Sequence, residues 1–259
     1  MTVAPCAMLS LPAVLPLERT AFFFDCDGTL VELASTPDTV QVRPDMLALL
    51  RALRTATQGA VAIVSGRGIA SLDALLQMPD LPMAGLHGAE RRDAKGHITC
   101  TDLDDARLPH MAQILADLVR AHPGMLLENK GASLALHYRN APECEALARE
   151  ATGRLVADCA NAYMVQPGKM VYEIRQKGVD KGSAVCAFLG EPPFAGRRPV
   201  FAGDDLTDEQ GFVAVNACNG LSVKVGEGAT VARARVDSVG ALLVWLKSLV
   251  AAGSAGFLS

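Results

Sequence analysis

The stretch FFFDCDGTLV, Phe22 to Val31, decides the fold. Three consecutive phenylalanines leave no polar face, so the segment reads as a strand buried on both sides, as strands of parallel sheets are. It ends on Asp25 and Asp27, followed by Gly28 and Thr29. In an extended chain, residues two apart lean to the same side, so both carboxylates are expected to point past the strand end. Like charges there repel unless a cation joins them. Mg²⁺ suits such a pair, because it is commonly held by one or two carboxylates plus a substrate phosphate. An acid-rich turn after an ordinary strand has the same composition, so this stretch alone leaves both readings open.

The segments around it repeat the pattern. PDMLALLRALRTAT (44–57) predicts an amphipathic helix with Pro44 in its first turn. AVAIVSGR (60–67) predicts a second buried strand, GIASLDALLQM (68–78) a helix and LPMAGLHG (81–88) a third strand. Strand and helix alternate as in parallel βαβ units, whose chemistry gathers at the strand carboxyl ends. Between Arg91 and Gln176 the texture changes. RRDAKGHITC predicts a hairpin, two helices cover about 105–122 and 142–156, and GMLLENK, SLALHYR, AYMVQP and KMVYEIR predict short strands. The alternation then returns with a helix in KGSAVCAFLG, strands in RPVFAGDD and GLSVKVG, and a closing helix in VGALLVWLKSLV. The expected architecture is an α/β core with a parallel sheet, residues 1–90 and 177–259, interrupted by an inserted α+β cap at 91–176. Trp245 and its leucine neighbours read as core.

Composition bounds the function. The 259 residues carry a net charge of −4 with 50% hydrophobic and 20% charged residues, the balance of a globular protein without the basic footprint of a nucleic-acid binder. No apolar run reaches the ~18 residues of a membrane helix. The segment APCAMLSLPAVLPL is broken by three prolines and reads as a loose lead-in rather than a leader peptide. Seven scattered cysteines without a CxxC pair argue against a disulfide framework or zinc site and make a reducing cytoplasm the expected compartment. Cys26, between the two acids, reads as a small packed side chain. The expected partner is a small molecule; a monomer is plausible.

Three further motifs sit at predicted strand or helix ends. AGDDLTDE places Asp204, Asp205, Asp208 and Glu209 within six residues, and a helical continuation would set Asp204 and Asp208 on one face; a solvated helix start would look the same. Ser65 and Gly66 in IVSGRG offer a hydroxyl and backbone N–H groups to a phosphate. Lys181 in GVDKGSAV opens a helix, an unfavourable place for a cation on dipole grounds, which points to a nearby anion.

In this order, DxDGT, Ser-Gly, Lys and GDDxTD resemble the four motifs of the haloacid dehalogenase superfamily of phosphohydrolases. The resemblance implies that Asp25 is the nucleophile, Asp27 the general acid/base, and Thr29, Ser65 and Gly66 phosphate binders. It implies that Lys181 stabilises charge and that Asp25, Asp204 and the Asp27 carbonyl hold Mg²⁺, with Asp205 and Asp208 in support. GLHGAERR, LENKGASLALHYR, GKMVYEIR and GVDKG are similar to the trehalose-6-phosphate phosphatase family. That similarity implies sugar contacts from Glu128, Lys130, His137, Arg139, Lys169 and Glu173, with Glu90 near the hinge or the substrate. A structural histidine and a solvated strand face are the competing readings for this set. The rivals in function are a phosphatase of sucrose 6-phosphate or mannosyl-3-phosphoglycerate, a phosphosugar mutase, and a binding module that has kept the fold without turnover.

Overall fold

The computed structural model describes residues 8–32, 42–100, 106–131 and 133–255. In chain order the elements begin with β1 (Thr20–Phe24), α1 (Pro44–Ala56), β2 (Val61–Val64), α2 (Ile69–Leu76), β3 (Met83–Gly85), β4 (Glu90–Arg92) and β5 (Ile98–Cys100). The chain continues through α3 (Arg107–Ala121), β6 (Leu126–Asn129), β7 (Ser133–His137), α4 (Glu145–Ala157), β8 (Tyr163–Gly168) and β9 (Val171–Gln176). It closes with α5 (Lys181–Leu189), β10 (Arg198–Gly203), α6 (Glu209–Ala217), β11 (Leu221–Val225), β12 (Ala234–Val236) and α7 (Val239–Ala255). Two compact units result, 1–99 with 180–259, and 100–179.

The larger unit is built on an eight-stranded sheet of order β12-β11-β10-β1-β2-β3-β4-β5, parallel from β12 through β3. β1 sits inside it, between β10 and β2, and all five of its residues are buried. The period of two sends Phe22 and Phe24 to one face, stacked at 6.0 Å, and Phe23 to the other, against Phe188 and Phe194. Burying each ring contributes about 1.5–3 kcal/mol, so the register of this strand is strongly determined. On the first face, Met46, Leu49, Leu50 and Leu53 of α1 meet the sheet at helical spacing.

The smaller unit is a four-stranded antiparallel sheet, β6-β7-β9-β8. Leu134, Leu136 and Ile174 turn to one face and join Leu108, Met111 and Leu115 of α3 and Ala148 and Val156 of α4 in a separate core. Directly opposed residues share a face, so the register Glu128↔Ala135↔Glu173↔Gln166 lays a polar row across the other side.

Two expectations change, and one strand is added. The hairpin that sequence assigned to the insert belongs to the large sheet, because β4 pairs antiparallel with β3 in the register Met83↔Arg92 and Gly85↔Glu90. Its Arg92, 5% exposed, is drawn inward by Asp73 at 2.8 Å and the Leu81 carbonyl. The N-terminal segment, whose residues 4–7 lie outside the described ones, is not loose from Pro12 onward: the Trp245 indole donates to the Pro12 carbonyl at 2.9 Å, and Leu15 and Leu17 are buried. β12, too short for a periodicity signal, adds an edge to the sheet. No helix among the described residues is long and apolar enough to cross a membrane.

Candidate active site

The two acids of the opening stretch part company. The strand ends at Phe24, and the chain turns at Cys26, whose carbonyl accepts from the N–H groups of Leu30 and Val31 at 2.9 and 3.1 Å. Extended geometry is therefore lost between the carboxylates. Asp25, 4% exposed, points to Lys181, while Asp27 is clamped by Arg67, Nε to Oδ2 at 2.6 Å and Nη2 to Oδ1 at 2.7 Å.

Lys181 is the first residue of α5, held there by a capping box between Asp180 and Ser183. It is 2% exposed, and its Nζ donates to Asp25 Oδ1 at 2.7 Å and to Asp208 Oδ1 at 2.6 Å. Burial works against its charge, but the Asp25 and Asp208 carboxylates outweigh burial and hold its pKa above the ordinary lysine value. Asp208 is fully buried and ties its loop together, since Oδ2 accepts from the N–H groups of Asp204 and Asp205, both at 2.9 Å. Asp205 reciprocates as the cap of the short turn Leu206–Asp208, and is itself exposed.

Asp204 enters the cluster through a gap made by Gly28. A Cβ at Gly28 would stand 2.2 Å from Asp204 Oδ2, and its φ of +79° is one that other residues rarely adopt. Thr29, fully buried, donates its hydroxyl to Asp204 Oδ1 at 3.2 Å. Among the described residues, Asp25, Asp204 and Asp208 bring carboxylate oxygens within 4.8 Å of one another. Burial raises Asp25 well above the ordinary carboxylate range; Lys181 opposes this and the neighbouring acids add to it. Asp204 is raised by burial and then by the charge of Asp208. Three clustered oxygen-donor acids, two of them hydrogen-bonded to one ammonium, leave negative charge that a hard divalent cation would offset, so the donor set fits Mg²⁺. Asp27, whose carboxylate goes to Arg67, stands outside this group, and Asp208 stands within it.

Ser65 is buried just after β2; its Oγ accepts from the Arg67 N–H at 3.2 Å. Gly66 leaves room for the His87 ring, which would lie 2.7 Å from a Cβ there. Glu90 turns inward as a helix cap, its Oε1 accepting from the Ile69 N–H at the start of α2, where Gly68 has no side chain to do so. In the smaller unit Glu128 Oε2 meets His137 Nε2 at 3.0 Å, and Glu173 Oε1 accepts from the Ser133 hydroxyl at 2.6 Å and from Lys130 at 3.5 Å. Arg139 follows β7 and Lys169 lies in the β8–β9 turn, both exposed. Two residues escaped sequence reasoning. Arg67 lay inside the quoted IVSGRG, where a cation at a strand end beside the acids was the available signal. Lys224 lay inside a strand with nothing local to mark it.

The family model for trehalose-phosphatase matches residues 23–238. A relative from Escherichia coli (strain K12), described as trehalose-6-phosphate phosphatase, is 44% identical over 234 residues, covering 90% of this chain and 88% of that one. A solved structure described as a trehalose-6-phosphate phosphatase related protein shares 28% identity at a TM-score of 0.73, over 91% of this chain and 99% of that one. At 14% identity, a haloacid dehalogenase-like hydrolase from Bacteroides thetaiotaomicron aligns at a TM-score of 0.65 over 88% of this chain and 98% of its own, a likeness of fold.

Proposed function

This chain belongs to the trehalose-phosphatase family, and from that membership we propose that it hydrolyses trehalose 6-phosphate to trehalose and phosphate in trehalose biosynthesis. The observation that carries the reading is the buried Asp25–Lys181–Asp208 chain with Asp204 beside it. A phosphate dianion repels an approaching carboxylate, and phosphate monoesters are among the slowest bonds to break, with accelerations up to ~10²¹. Asp25, Asp204 and Asp208 are the residues that would hold Mg²⁺, with the Asp27 carbonyl in the expected set. When bound, the ion supplies charge neutralisation of the phosphoryl oxygens.

The side chains do the rest. Asp25 attacks phosphorus through one carboxylate oxygen as the phosphorus–sugar oxygen bond breaks, giving an aspartyl-phosphate. Asp27 passes a proton to the leaving alcohol. It then takes one from the water that attacks phosphorus and returns Asp25 to a carboxylate. Both Asp27 oxygens are held by Arg67 in this structure, so at least one of those bonds opens during turnover. Lys181 stays an ammonium and neutralises Asp25 during the approach of the phosphate. Ser65, Gly66 and Thr29 serve the phosphate. Glu128, Lys130, His137, Arg139, Lys169 and Glu173 serve the sugar hydroxyls. Glu90 caps α2 just after the Ser65–Arg67 loop. We place the reaction in the cytoplasm.

The test is phosphate release from a panel of phosphosugars, with and without Mg²⁺. Wild type is expected to prefer trehalose 6-phosphate and to lose turnover in EDTA, and Asp25→Asn to lose at least about 10³-fold. A preference for a monosaccharide phosphate overturns the substrate, and undiminished turnover in Asp25→Asn overturns the nucleophile.

A further inference from the structure

Lys224 lies in β11, level with Gly203 of β10, and is 5% exposed. Its Nζ donates to the backbone carbonyl of Asp204, and it takes part in no ion pair among the described residues. A buried ammonium held by a neutral carbonyl is an expensive way to fill a strand position. A methionine would occupy similar volume without that cost. What the ammonium reaches is the peptide unit that carries Asp204.

The surroundings of Asp204 are otherwise all restraints. Its N–H is taken by Asp208 Oδ2 at 2.9 Å, its carboxylate accepts from Thr29, and Gly28 leaves the gap into which that carboxylate fits. On the carbonyl side, the Asp204–Asp205 peptide is tied at its N–H by Asp208 Oδ2 at 2.9 Å and at its oxygen by Lys224. With both peptide groups tied, the side-chain torsions of Asp204 are the freedom that remains. We propose that Lys224 is a positioning residue for the cation site: by anchoring the Asp204 carbonyl it holds the Asp204 carboxylate in the group formed with Asp25 and Asp208. This rests on the reading of that group as the Mg²⁺ site.

Charge and position act in opposite directions, which makes the sign decisive. A positive charge near the acids repels an incoming cation, so removing it would tighten binding if charge were what mattered. Removing the anchor loosens binding. Calorimetric titration of Mg²⁺ into the substrate-free full chain separates the two, with thermal melts to show that each variant is folded. Lys224→Met is expected to weaken Mg²⁺ binding about tenfold or more, the range for losing an outer partner of a metal ligand. Lys224→Arg, which keeps a donor, is expected to recover most of the loss. The Mg²⁺ concentration for half-maximal turnover should shift in parallel, with KM for the phosphosugar unmoved at saturating Mg²⁺. Unchanged or tighter binding in Lys224→Met overturns the proposal. If Lys224→Met does not fold, the same criterion passes to Lys224→Leu, which also lacks a donor. A wild-type chain that binds no Mg²⁺ overturns the cation reading itself and this inference with it, whereas wild-type binding with an indifferent folded variant overturns this inference alone.

Discussion

The acid cluster at the carboxyl ends of β1 and β10 and the polar face of the four-stranded sheet use similar residue types in opposite settings. Lys181 and its two acids have side chains at most 6% exposed, joined at 2.6 and 2.7 Å. Glu128 and His137, by contrast, leave 49% and 33% of their side chains in solvent. Buried charges that cannot relax toward water are preorganised for a charged transition state. Exposed ones are free to turn toward a ligand, and each is worth little to the fold. The first region holds its charges fixed; the second leaves its side chains room to turn.

Lys181→Met should break the first region most severely. Removing one partner of a buried ion pair costs about 3–5 kcal/mol, so the urea midpoint should fall sharply and turnover should vanish. The loss should depend on pH. Asp25 is raised above 3.8 by burial even with Lys181 present, and without Lys181 it rises further. The folded variant then holds a proton that the unfolded chain has released, so stability falls as pH rises above 3.8 and recovers as pH returns toward it. A midpoint that does not change with pH would mean that the cluster is not electrostatically strained.

Glu128→Ala probes the other side of the contrast. Stability should change by less than about 1 kcal/mol, as for exposed pairs, while turnover of trehalose 6-phosphate falls about tenfold from the loss of a charged hydrogen bond. Activity on p-nitrophenyl phosphate, which has no sugar, should hold. An equal loss on both substrates would make Glu128 a structural residue.

The smallest effect is expected at Cys26. It lies between the two acids, yet burial, and then Asp27 and Asp25, push its thiol well above the ordinary cysteine range. Alkylation of the native protein, mapped by mass spectrometry, should leave Cys26 unmodified while the exposed Cys186 and Cys218 react. Rapid labelling of Cys26 would show that the β1 terminus opens to solvent.

Much of this site was legible because each motif occupies a strand or helix end that local pattern reveals. The FFF run predicts a buried strand, and Asp25, Lys181, Asp204 and Asp208 follow at ends that the alternation of strand and helix marks out. The division of labour between neighbours was not legible. Asp25 and Asp27 are equivalent by spacing; only the turn at Cys26 sends one to Lys181 and the other to Arg67. Glu90 reads as lying near the hinge or the substrate; what sequence did not show is that antiparallel pairing of β4 with β3 brings its Oε1 to the Ile69 N–H at the start of α2.

Periodicity and motif order therefore pointed by themselves to the α/β core, to the inserted sheet with its helices, and to acids and a lysine at strand and helix ends, because buried periodicity and strand ends are local properties of a chain. Which acid meets which base was decided by tertiary structure alone. Arg67 reaches Asp27 across 40 positions, and Lys224 reaches Asp204 across 20. Such pairings depend on strand order and register, and those are settled by burying Phe22, Phe23 and Phe24 on both faces of the sheet rather than by any property of the charged residues themselves.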